Sequence, residues 1–198
     1  MTAEMIQSKA PSTFAFSDTL TSYAVSPKTW HLHHDNRYNG IVAAAIVIDS
    51  RGRILLLRRA ASDFLPGLWE PPGGAVDAED ETLLHACARE LKEEAGLVAQ
   101  RIDGTVGGEG FDFGDKGKVW RRITFSVTVE EMREGSQVVT DPEEHSEWKW
   151  AAEQEVMAEK MEDGREIPIT FPEVKQSLLD GFRLWRERND RVTTASDV

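Results

Sequence analysis

Strands and helices alternate through the middle of this chain, and that alternation predicts an α/β domain. Three observations carry the prediction. Ile41–Ile48 (IVAAAIVI) is an unbroken apolar run, as a strand buried on both faces requires. Arg122–Val129 alternates, with Ile123, Phe125, Val127 and Val129 on one face and Thr124, Ser126 and Thr128 on the other, the pattern of a half-buried strand. Asp80–Ala95 and Phe171–Arg188 instead repeat at helical period, the second through Val174, Leu178, Leu179, Phe182 and Trp185.

The elements follow in order. Residues 1–35 are rich in Ser and Thr, carry Pro11 and Pro27, and are expected as an N-terminal extension, a surface arm that crosses the domain. His31, His33 and His34 of this arm have no Cys nearby and form no evident helical pair, so packing is preferred to a metal site. The domain proper is expected over 36–190. After its first strand, Asp49-Ser50-Arg51-Gly52 is a turn, and Ile54–Leu57 is a second strand that can close a hairpin. Phe64–Gly74 (FLPGLWEPPGG) holds three prolines and three glycines in eleven residues and is expected as a loop. Gly107–Lys118, Gly-rich and charged, is expected as a lid or hairpin tip. Trp148 and Trp150 flank Lys149 in a short strand, Ala151–Met161 is helical in pattern, and residues 191–198 are expected as a flexible tail.

Composition excludes several functions. The chain has 198 residues, 40% of them hydrophobic, enough for one domain with a real core. Its 23 Lys and Arg against 35 Asp and Glu leave a net charge of −12. Nucleic acids and anionic membranes both demand a positive surface, so neither is expected as a partner. A single Cys forms no internal disulfide. No apolar run approaches the roughly 20 residues of a membrane span, and the start of the chain lacks the marks of a signal or transit peptide. The default expectation is a cytoplasmic protein.

The segment at 80–95 concentrates the chemistry. At about 100° per residue, Glu90, Glu93 and Glu94 share one arc of about 100°. Leu84, Cys87, Leu91 and Ala95 occupy the neighbouring arc and can face a core. Glu90 and Glu94 are a like-charge pair one turn apart, near a helix C-terminus where the macrodipole disfavours negative charge. Local stability did not place them there, and a divalent cation removes both penalties; hard, closely spaced oxygen ligands suit Mg²⁺ or Mn²⁺. Glu70–Leu97 holds eight acids against Arg89 and Lys92, a net −6, half of the whole chain's charge. Pro71-Pro72-Gly73-Gly74 precedes it, and glycines there permit close backbone approach.

Gly74, then Glu81, then Arg89-Glu90-Leu91-Lys92-Glu93-Glu94-Ala95-Gly96-Leu97 resembles the signature box of the Nudix hydrolases. That box runs Gly, five residues, Glu, seven residues, Arg-Glu-apolar-x-Glu-Glu-x-Gly-apolar. From Glu81 onward every position agrees, whereas six residues rather than five separate Gly74 from Glu81. The resemblance implies an α/β/α sandwich with a mixed β-sheet, dimers as a common assembly, and Mg²⁺ (or Mn²⁺) dependent hydrolysis of a small-molecule diphosphate. It implies Glu90, Glu93 and Glu94 as metal ligands, a glycine carbonyl of Gly73 or Gly74 as a further one, and Glu81 with Arg89 as the pair that braces helix to loop. Glu93, Glu94 and a loop acid, Glu144 in preference to Glu147, are the candidates for the catalytic carboxylates. Arg58 and Arg59 are candidates for phosphate, and Trp69 and Phe113 for a base.

The substrate is less legible. No proline follows the box before Asp141, and both tyrosines, Tyr23 and Tyr38, precede it. The marks of ADP-ribose and dinucleoside polyphosphate hydrolases are therefore absent. A nucleoside diphosphate derivative is the first expectation. A prenyl diphosphate, or a binding module without turnover, is the alternative. Isopentenyl diphosphate isomerases share the fold but use a catalytic Cys on a separate segment, whereas Cys87 lies on the core side of the box helix.

Overall fold

A computed structural model of the chain describes residues 14–115, 117–129 and 138–196. Its first elements are β1 (Ala15–Phe16), α1 (Pro27–His33), β2 (Gly40–Ile46) and β3 (Ile54–Arg59). Next come β4 (Trp69–Glu70), β5 (Gly73–Ala75), α2 (Leu83–Ala95) and β6 (Ala99–Asp115). The last are β7 (Lys118–Val129), β8 (His145–Ala151), α3 (Glu153–Ala158) and α4 (Pro172–Ser196). A five-stranded sheet has the order β1-β6-β7-β2-β5, and a three-stranded sheet the order β4-β3-β8. The larger sheet is mixed: β1 runs parallel to β6 and β2 parallel to β7, while β6/β7 and β2/β5 are antiparallel.

The apolar run of β2 supplies both layers. Its odd positions, Ile41, Ala43 and Ala45, join Leu84, Cys87, Leu91 and Ala95 of α2 in one core. Ile46 joins Val174, Leu178 and Phe182 of α4 in the other. The sheet is thus covered on both faces, as an α/β sandwich requires. Full burial of each of Leu83, Leu84 and Leu91 is worth about 1.5–3 kcal/mol, so the apolar stripe fixes how α2 lies on the sheet. Thr82 caps the helix by accepting from His85 N–H at 3.2 Å, and Gly96 closes it at φ 69°, where a side chain would be strained. The helix therefore starts at Leu83, three residues later than its periodicity predicts.

Four sequence expectations are corrected. Residues 14–35 are more than a surface arm: Leu20 and Trp30 are buried in the principal core, and Trp30 stacks on His34 at 3.7 Å between ring centroids. The first thirteen residues of the expected extension lie outside the described residues. Phe64–Gly74 is not wholly loop, because β4 pairs with β3 and β5 with β2. Pro71 and Pro72, which lack the N–H that a ladder needs, mark the step from one sheet to the other. Of the two expectations for Gly107–Lys118, the hairpin tip holds and the lid does not: a bulge at Gly107–Gly110 interrupts β6, after which Phe111–Asp115 pairs again with β7 up to the Asp115/Lys118 pair. At the far end α4 continues through Ser196, where a tail was expected; Asp197 and Val198 lie outside the described residues.

Candidate active site

The Pro71-Pro72 step delivers Gly73 and Gly74 to the edge of β2, opposite α2. Gly73 N–H donates to Glu94 Oε2 at 2.6 Å. Gly74 leaves room for the other carboxylate, since a Cβ there would stand 2.6 Å from Glu90 Oε2. Two glycines and two carboxylates one helical turn apart thus share one cradle. Both carboxylates are buried. Burial pushes Glu90 above the usual carboxylate range, against the pull of Arg89. Burial pushes Glu94 further, up to about 8; the Gly73 N–H opposes the shift, and the charges of Glu90, Glu70 and Glu144 add to it.

The loop before β8 closes the cradle from the other side. Glu144 and His145 N–H groups both donate to Asp141 C=O, and Glu144 C=O accepts from Ala60 N–H at 2.8 Å. This turn brings Glu144 and His145 to Glu94, with ligand atoms of all three within 4.8 Å of one another. His145 Nε2 lies 4.0 Å from Glu94 Oε1. Burial lowers the pKa of His145 and raises that of Glu94. Glu147 is drawn elsewhere, to Arg165 at 2.7 Å and Arg58 at 3.6 Å. Of the two loop acids, Glu144 is therefore the one beside the cradle.

Arg89 organises the helix edge, but not with the expected partner. Its guanidinium donates to Asp80 Oδ1 and Oδ2 at 3.0 and 2.9 Å, to Ala75 C=O at 3.0 Å, to Glu90 at 2.7 Å and to Glu93 at 2.9 Å. Glu81, expected as the brace, is 73% exposed in its side chain and faces His85 at 3.5 Å. The extra residue explains the exchange. Counted from Gly74, five residues precede Asp80, so Asp80 stands where the front of the box places its acid. The additional residue is absorbed between Asp80 and α2. Glu93 keeps its place on the helix edge, with a side chain 52% exposed.

The substrate candidates divide. Arg58 is exposed and near Glu147. Arg59 is committed internally, to Glu70, to Asp63 at 2.6 Å and to Phe64 C=O, so it holds its own loop rather than a phosphate. Trp69 is 2% exposed, packed in the core with Ile54, Leu56 and Val156, and cannot stack on a base. Phe113 is half-buried in a ring cluster with Phe111, Trp120 and Phe171. Sequence reasoning missed Asp80, His145, Glu70 and Arg122. His145 was within reach as the direct neighbour of Glu144. Glu70 and Arg122 form a buried pair at 3.2 Å whose members lie far apart in the chain.

Carboxylate oxygens dominate the cradle, and burial with mutual repulsion disfavours their charge; that donor set fits a hard divalent cation. The comparisons with known proteins agree with the geometry. A family model described as NUDIX domain matches residues 38–170. The CTP pyrophosphohydrolase of Escherichia coli K12 is 44% identical over 59 residues, 30% of this chain and 43% of that protein. The m7GpppN-mRNA hydrolase NUDT17 of Danio rerio is 48% identical over 58 residues, 28% of this chain and 19% of that protein. These matches span less than half of either relative. Among solved structures, the E. coli ORF135 protein superposes with a TM-score of 0.56 at 26% identity, covering 77% of this chain and 94% of that one. A MutT NUDIX hydrolase from Burkholderia pseudomallei gives 0.54 at 25% identity, covering 70% and 95%. With the box on α2, the mixed sheet between its helices and a family match over most of its length, this chain belongs to the Nudix hydrolases.

Proposed function

We propose that the protein is a Mg²⁺-dependent hydrolase that cleaves the diphosphate linkage of a nucleoside diphosphate derivative by water attack at phosphorus. The observation that carries this reading is the cradle, where Glu90 and Glu94 meet Gly73 and Gly74 with Glu144 close by. Glu90, Glu93, Glu94 and a glycine carbonyl, of Gly73 or Gly74, would hold the cation, and Mn²⁺ would serve in its place. Bound there, the cation supplies charge neutralisation at the phosphate oxygens and a water of lowered pKa.

The chain's own residues supply the rest. Arg89 holds Glu90 and Glu93 at the helix edge, with Asp80 fixing Arg89 from the loop. Glu144 is exposed beside Glu94 and accepts the proton of the attacking water. The water oxygen bonds to phosphorus, and the bridging oxygen departs with the electrons of the broken bond. The rings around Phe113 offer a face for a base. A nucleotide is favoured over a prenyl diphosphate because the names of two relatives specify CTP and m7GpppN.

The test is product identification over a panel with Mg²⁺, Mn²⁺ or EDTA. It holds nucleoside triphosphates, ADP-ribose, NADH, dinucleoside polyphosphates, sugar nucleotides and prenyl diphosphates. Mg²⁺-dependent release of a nucleoside monophosphate is the expected result. Cleavage of prenyl diphosphates alone would replace the nucleotide, and binding without any cleavage would make the protein a binding module.

A further inference from the structure

Arg122 is buried, 5% exposed, and two of its three nitrogens have no hydrogen-bond partner among the described residues. One nitrogen, Nη1, donates to Glu70 Oε2 at 3.2 Å. Nε and Nη2 are buried with no hydrogen-bond partner among the described residues. The other oxygen of Glu70 accepts from Arg59 instead. Leaving buried donors of a charged group unmade is costly, and native proteins rarely tolerate it without a reason. The charge of Arg122 is matched by Glu70; what it lacks is acceptors. Nε–H and Nη2–H lie side by side on one edge of a flat, rigid group, a fork that fits two adjacent acceptors in one plane.

The surroundings say what kind of molecule carries those acceptors. Arg122 is paired in register with Phe111, and Trp120 with Phe113. Strand alternation puts Trp120 and Arg122 on one face of the sheet, and the cross-strand partners share that face. Phe171 closes on both phenylalanines, at 6.4 Å from Phe111 and 5.7 Å from Phe113 between centroids. Phe111, Phe113, Trp120 and Phe171 are each only half-buried. Thr170, beside Phe171, has a buried Oγ1 that is also unpartnered, and its N–H donates to Trp69 C=O, next to Glu70. The unused nitrogens of Arg122 and half-covered rings thus gather on one face, and Glu70, in contact with Arg122 and close enough to act on Glu94, links them to the neighbourhood of the cradle.

We propose that Arg122 determines base specificity: its Nε–H and Nη2–H donate side by side to two adjacent acceptors on one edge of the substrate's base, whose face lies against the aromatic cluster. The assignment rests on the nucleotide reading above and narrows it. Guanine presents such a pair in O6 and N7, and cytosine in O2 and N3. Adenine and uracil present none, because in each a donor or a C–H group separates the acceptors. Two phosphate oxygens would also satisfy the fork, but the aromatic surroundings favour a planar base.

The experiment compares the wild type with Arg122→Lys and Arg122→Gln, each checked for folding by thermal melting. Kinetics with Mg²⁺ use GTP, CTP, ATP, UTP and 7-deaza-GTP, and calorimetry measures binding of the α,β-methylene analogues of the four bases. The wild type is expected to prefer guanine or cytosine. Both variants are expected to lose about 10- to 100-fold on the preferred base, through KM and Kd, with ATP and UTP changed by about twofold or less. If guanine is preferred, 7-deaza-GTP is expected to weaken the wild type and not the variants. Equal losses on all four bases would place the fork on phosphate and overturn the proposal, as would a wild type without base preference. A wild type that binds nucleotides with this preference but cleaves none would sink the proposed hydrolysis while upholding Arg122. Absence of nucleotide binding would sink both.

Discussion

Two buried charged groups lie near Glu70, and the chain treats them in opposite ways. Glu94 has a hydrogen bond from Gly73 but is surrounded by like charge, from Glu90, Glu70 and Glu144. Arg122 has its charge balanced by Glu70 but lacks acceptors for two of its nitrogens. One group wants a counter-charge and the other wants hydrogen bonds. A missing counter-charge among oxygen ligands calls for a cation, and missing acceptors call for an organic edge. On the function proposed above, the difference prepares the two sides of the site for chemically different parts of one complex, the metal with its phosphates and the base.

The strongest way to break this comparison is Glu94→Gln, which is expected to lower turnover by orders of magnitude while the fold survives. Unchanged turnover would remove Glu94 from the site. The same variant carries a pH signature. The folded-state pKa of Glu94, about 8, lies above its ordinary value of 4.5. A raised acid contributes stability that is complete below the ordinary value and is lost as pH rises through the folded one. The melting temperature of metal-free wild type is therefore expected to fall between about pH 5 and pH 9, and that of Glu94→Gln to fall less. Added Mg²⁺ is expected to restore the wild type at the alkaline end. Identical metal-free pH profiles would refute the crowding of Glu94.

A smaller effect sharpens the acidic side alone. Asp80→Asn weakens a charged pair at Arg89 and is expected to cost about 1.5–3 kcal/mol, with a fall in activity as Glu90 and Glu93 lose their brace. Glu81→Gln is expected to be nearly neutral in both respects, measured by chemical denaturation and kcat/KM. The reverse order would return the brace to Glu81. The smallest effect belongs to Cys87→Ser. The thiol is fully buried among the apolar residues of α2 and β2, and burial pushes its pKa far up, so it is inert. A cost of about 1 kcal/mol with catalysis intact is expected; complete loss of activity in a folded variant would implicate the thiol in the chemistry.

The same contrast explains what was legible in the sequence. Glu90, Glu93 and Glu94 show themselves because helical period alone gathers them, and the apolar stripe beside them fixes which way they face. The strands at Ile41, Ile54 and Arg122 are readable for the same local reason. Arg122 itself was not, because its partners come from Glu70, 52 positions away, and from Phe111 and Phe171 on other elements. Position on the polar face of an alternating strand suggests solvent, and only the packed fold turns that face inward. Trp69 misled in the opposite sense: it lies in a loop-like run, yet β4 carries it into the core. Asp80 was hidden by aligning the box from its far end, which places the inserted residue in front of Glu81 rather than behind Asp80.

The Pro71-Pro72 step has a consequence for folding. Glu70 belongs to the smaller sheet and Gly73 to the larger, with only the two prolines between them. The cradle exists only when both sheets have docked, so local opening of either dismantles it before most helix is lost. If the cradle holds the proposed cation, metal affinity is a gauge of cooperativity, and a bound divalent ion is expected to slow amide hydrogen exchange in both sheets together.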